Sequence, residues 1–114
     1  MLCEKTILLA AGAGEIVKLQ PPDAPASGFV GKASRVSLLA RSTCMIQFVN
    51  WDGVSTEPVA PVADPTPLAG AEAPFIEMLA NERLSRGSLG QTYQPYTHVR
   101  IWGVGAGNLL IEAE

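Results

Sequence analysis

Histidine occurs once in this chain of 114 residues, at position 98, and cysteine only at positions 3 and 44. One histidine rules out a metal centre built on a histidine cluster, and any Ser-His-Asp arrangement would have to use His98. Two cysteines at no recognisable metal or redox spacing read as a pair of buried thiols. Charge is also sparse: 17% of residues are Asp, Glu, Lys or Arg, and the eight basic ones form no run. With a net charge of −3, the chain lacks the positive face that nucleic acid requires. Long apolar runs are missing too, so no segment reads as a membrane span of about 20 residues. The start, MLCEKTILLAAGAGE, has the apolar content of a leader, but Glu4 and the shortness of the run make it a first strand.

What is present is proline, glycine and alternation. Prolines 21, 22 and 25, then 58, 61, 65, 67 and 74, then 95 divide the chain, and none interrupts an alternating run. Between them apolar residues recur with period two. Val17 and Leu19 share a face, as do Val36, Leu38 and Ala40, then Cys44, Ile46 and Phe48, then Val99 and Ile101, and finally Leu109, Ile111 and Ala113. His98, Arg100 and Trp102 fall on the outward side of their strand. The expectation is a single all-β domain over 1–114, an antiparallel β-sandwich or small barrel of about seven strands with long proline-rich loops. SRVSLLAR and CMIQFVNW read as one hairpin, and the strands around the closing glycines as another. EMLANERLSR is the only candidate helix, and its apolar face is discontinuous.

IWGVGAGNLLIEAE, residues 101–114, carries glycines at 103, 105 and 107 and superficially resembles a phosphate loop. A dinucleotide fingerprint needs G-x-G-x-x-G opening a helix, whereas here the spacing is G-x-G-x-G and the following residues alternate as a strand. These glycines therefore read as a reversal that exploits positive φ. LLAAGAGEIV (8–17) echoes IWGVGAGNLL (101–110), which implies similar reversals near both ends whose strands could pair.

No residue set reads as catalytic, cofactor-binding or metal-binding. The serines lack a G-x-S-x-G context, the carboxylates show no D-x-D-x-D loop, and Asp52-Gly53 reads as turn chemistry. His98 reads as an exposed or interface histidine. Aromatic residues are the better clue: Trp51, Tyr93, Tyr96 and Trp102, with Asp52 beside the first, form a candidate contact surface. The loop at about 50–74 holds five prolines and cannot build a core; it reads either as an arm laid on a neighbour or as a coil over its own sandwich.

SRVSLLARSTCMIQFVNWDGVST, TPLAGAEAPFIEML and HVRIWGVGAGNLLIEAE, in that order, resemble small β-sandwich structural proteins of tailed bacteriophage virions, over roughly residues 34–114. The resemblance implies a non-enzymatic virion component without cofactors, in first place a capsid decoration or cement protein bound to the major capsid protein lattice. It also implies a homo-oligomer, with a trimer favoured; tail, adaptor and head-fibre positions fit the same pattern. The exposed aromatics on a sandwich leave a carbohydrate-binding or adhesion module as the alternative.

Overall fold

Eight strands carry the alternation found in the sequence. The computed structural model describes residues 3–20, 33–65, 75–87 and 96–114. In chain order the strands are β1 (Cys3–Leu9), β2 (Gly14–Lys18), β3 (Arg35–Ala40), β4 (Cys44–Val49), β5 (Ile76–Met78), β6 (Arg83–Gly87), β7 (His98–Gly103) and β8 (Gly107–Ala113). They form two four-stranded antiparallel sheets, ordered β1-β8-β3-β6 and β2-β7-β4-β5. The order is that of a jelly roll, the double Greek key used by viral capsid and lectin domains.

The expected hairpins are corrected by this topology. β1 and β2, β3 and β4, β5 and β6, and β7 and β8 are each joined by a short reversal, yet the two members of every pair lie in opposite sheets. Each reversal is a corner between layers. The corners stack at one end of the sandwich: Gly12 donates to the Gly103 carbonyl at 2.9 Å, Val104 and Gly105 both donate to Thr43, and Asn81 donates to Ala40 at 2.7 Å. The echo between residues 8–17 and 101–110 acquires a physical meaning, because β1 pairs with β8 and β2 with β7.

Close approach, rather than positive φ, explains the closing glycines; among the described residues the left-handed glycines are Gly12, Gly53 and Gly87. A Cβ on Gly103 would run into the carbonyl oxygen of Ala10, and one on Gly105 or Gly107 would lie 2.6 Å or 2.7 Å from Ser42 atoms.

The candidate helix is also corrected. Its residues form the end of β5, a tight turn and β6, the strand beyond the seven expected. Asn81 takes φ 69° in that turn, and Glu82 Oε1 accepts the Leu79 N–H at 3.0 Å. Met78 is buried, whereas Leu79 is exposed, so the apolar residues serve a strand and a corner.

One apolar cluster fills the space between the sheets, with Leu9, Leu19, Ile46, Ile101, Leu109 and Ile111 among its fully buried members. Cys3 and Cys44 are free and buried within it. Burial raises both thiol pKa values, that of Cys44 to about 11. The native protein is therefore expected to leave both thiols unmodified by an aromatic disulfide reagent at neutral pH, with full reaction only in denaturant.

Candidate functional site

The outward face of the β2-β7-β4-β5 sheet is occupied by the chain itself. After β4 the backbone turns at Asp52-Gly53, where Asp52 Oδ1 accepts the Val54 and Ser55 N–H groups at 2.8 and 2.9 Å and Gly53 takes φ 81°. These bonds favour the ionised carboxylate and hold Asp52 below its ordinary pKa. Residues 57–65 then form a strap across the sheet. Arg100 on β7 donates from Nε to the Val59 carbonyl at 2.9 Å and from Nη1 to Gln47 Oε1 at 2.7 Å, and its guanidinium lies over the Phe75 ring. Pro61 is buried, and its carbonyl approaches Gly14 so closely that a Cβ there would collide with it.

Under the strap lies His98, 2% exposed, which corrects the expectation of an exposed or interface histidine. Alternation places its side chain outside the sheet, as expected; the strap then covers it. Thr97 donates its hydroxyl proton to the Val49 carbonyl and accepts the Trp51 N–H at 2.8 Å. His98 Nδ1 lies 2.8 Å from the same Thr97 Oγ1, a hydrogen bond whose direction follows the ring tautomer. Nε2 faces Glu57 Oε1 at 3.6 Å, and the same carboxylate oxygen pairs with Lys18 Nζ at 3.2 Å.

Burial pushes the His98 pKa below 6.5; Glu57 opposes that shift, and Lys18 adds to it. The folded state therefore binds its proton less readily than the unfolded state. The associated stability is present in full above pH 6.5 and is lost as pH falls through the lowered pKa. Urea midpoints are expected to fall between pH 7 and pH 5, and His98→Gln to flatten that slope.

The expected contact residues separate. Trp51 is half-buried, meets the His98 ring edge-on at 5.9 Å between centroids and donates its indole N–H to Ser55. Trp102 is half-buried on the strap side of β7, paired with Gly14 and Met45. Tyr96 is half-buried, packs against Phe48 at 5.6 Å and bridges to Ala33. Asp52 is exposed at its turn. Tyr93, like residues 66–74 of the proline-rich loop, lies outside the described residues. Thus Trp51 and Asp52 hold the root of the strap, and Tyr96 belongs to packing elsewhere.

Two features escape a reading of the sequence. The Asp52-Gly53 turn and the strap after it present apolar side chains to solvent: Val54 of the turn is 90% exposed, and Val59 and Val62 of the strap are 64% and 94% exposed. Valines spaced among prolines in a segment unable to form a core are the available signal. Second, the strap and β4 enclose an open cavity of about 410 Å³, lined by Phe48 and Pro58 together with Gln47, Asn50, Glu57 and Arg100. Among the described residues no group of three or more His, Cys, Asp or Glu is placed to hold a metal ion. Comparison with family models, curated proteins and solved structures returns no match. The site must be read from its own chemistry.

Proposed function

We propose that the protein is a non-enzymatic structural component of a tailed-phage virion, a capsid decoration protein that docks on the major capsid protein lattice through its strap. The observation that carries the reading is the outward display of Val54 on the turn, held by Asp52, and of Val59 and Val62 on the strap, held to the sheet by Arg100. Exposed apolar side chains mark contact surfaces, and a prefixed segment loses little conformational entropy when it docks. The jelly-roll scaffold is compatible with this role, and repetition over a shell converts a modest contact into a large collective one. Mass spectrometry of particles purified from cells that carry the coding sequence is the test. The protein should co-purify as a constant multiple of the shell subunit, with binding lost in Val54→Asp/Val62→Asp; absence from particles overturns the reading.

The cavity beside the strap favours a second reading, a carbohydrate-binding module. Amide, carboxylate and guanidinium groups around an aromatic ring are the chemistry that sugar hydroxyls and ring faces use. Trp51, rooted in the same strap, would report such binding by fluorescence, and a flat response across a glycan panel removes this alternative.

A further inference from the structure

The second sheet presents a different surface. On the outward face of β1-β8-β3-β6, Leu8 is 74% exposed and Leu39 and Leu110 are half-buried. Arg83 and Glu112 line a hollow of about 150 Å³ with the two latter leucines. Glu4 stands directly opposite Glu112 across the β1-β8 pair, both exposed. Like charges so placed destabilise a sheet, and neither carboxylate has an ion-pair partner among the described residues. Arg83, on the far edge strand, is likewise exposed.

The register fixes where these groups lie. Leu8 pairs with Asn108, Thr6 with Leu110, Leu110 with Leu39, and Leu39 with Arg83. Arg41 continues β3 beside Asn108, to whose carbonyl it donates at 2.8 Å. With strands about 4.8 Å apart and a rise of about 3.3 Å per residue, the line from Leu8 to Leu110 separates the face's unpaired carboxylates from Arg41 and Arg83, while Arg35 on the carboxylate side is neutralised by Glu114 at 3.1 Å. Glu4 and Glu112 fall on one side; Arg41 and Arg83 fall on the other, with Glu4 and Arg83 each about 8 Å from the line. A two-fold axis along this line lays Leu8 and Leu110 on their own copies. It also brings Arg83 of each molecule over the Glu4–Glu112 pair of the other.

We infer that this face binds a second copy of the chain in an isologous, face-to-face dimer. Self-complementarity is what a two-fold contact requires, and the unfavourable carboxylate pair becomes a bidentate site for the partner's guanidinium. The face measures about 19 by 23 Å, smaller than stable specific interfaces, so the dimer is a weak one that forms reversibly with concentration and weakens with salt. This pairing uses the surface opposite the strap and does not depend on the virion reading.

Sedimentation of the full chain decides it, with circular dichroism as the check on folding. Wild type should show a concentration-dependent monomer–dimer equilibrium. Arg83→Glu alone, and Glu4→Lys/Glu112→Lys alone, should each weaken self-association by at least about tenfold. Mixing those two variants should restore a dimer containing one copy of each, because both contacts then pair opposite charges. A wild type that stays monomeric to millimolar concentration, one that forms only trimers, or variants that associate as wild type does would overturn the inference. So would a mixture that fails to dimerise. Particle binding by a protein that is monomeric in solution would separate failure here from failure of the proposed function.

Discussion

Replacing Gly103 with alanine is expected to destabilise the protein by about 3 kcal/mol, on the order of 10 °C in melting temperature. Its new Cβ would meet backbone on the neighbouring corner, with the Ala10 carbonyl carbon and nitrogen 3.0 and 3.2 Å away beyond the carbonyl oxygen itself. A flexible side chain could move aside, but this backbone is held by reciprocal bonds, Gly12 N–H to the Gly103 carbonyl and Gly103 N–H to the Ala13 carbonyl. Relief therefore requires two stacked corners to separate. Thermal melts of Gly103→Ala beside Gly12→Ala distinguish clash from conformational cost, because Gly12 takes φ 73° with open space where its Cβ would stand. The Gly12 variant should lose only about 1 kcal/mol.

Ile46→Ala is expected to cost a similar amount, about 3 kcal/mol, for a different reason. Ile46 is fully buried between its β7 partner Ile101 and its β5 partner Ile76, so truncation leaves a cavity in the core of the strap-bearing sheet. Leu8→Thr removes a comparable side chain from an exposed position and should change monomer stability by no more than about 0.5 kcal/mol. Denaturant titrations of the two variants check the inward and outward assignments together, at dilution low enough to keep dimerisation out of the comparison.

Alternation in the sequence makes most of the core legible. Val17, Val36, Leu38, Ile101, Leu109 and Ile111 all point inward as their period-two spacing requires. The pairing of those strands is not legible in the same way. A reversal of three or four residues has the same glycine-rich, polar composition whether its strands bond to each other or part into two layers. The choice is made by distant partners, β8 for β1 and β7 for β2. β6 escapes notice for a related reason: RLSRG lies on a sheet edge with only Leu84 half-buried, so little apolar signal marks it.

At the candidate site, the turn at Asp52-Gly53 and the outward side of His98, Arg100 and Trp102 can be read locally. What covers them cannot. Period-two spacing says which side of a sheet a residue occupies, and it is silent on whether that side meets water. Burial of His98 depends on Glu57 and Pro61, some forty residues earlier in the chain, and on Gly14 leaving room for the strap. The same strap takes the Trp51 indole into its own support and leaves valines turned to solvent.

The division into a strapped sheet and an open sheet underlies both proposed surfaces, and the single histidine reports on it. Diethyl pyrocarbonate acylates accessible neutral imidazole, and the mass of the peptide containing position 98 measures the reaction. At pH 7.5 the native protein should leave His98 essentially unmodified, while the urea-unfolded chain reacts at the rate of a free peptide. Native His98 reacting at that same free-peptide rate would contradict a strap closed over the β2-β7-β4-β5 sheet.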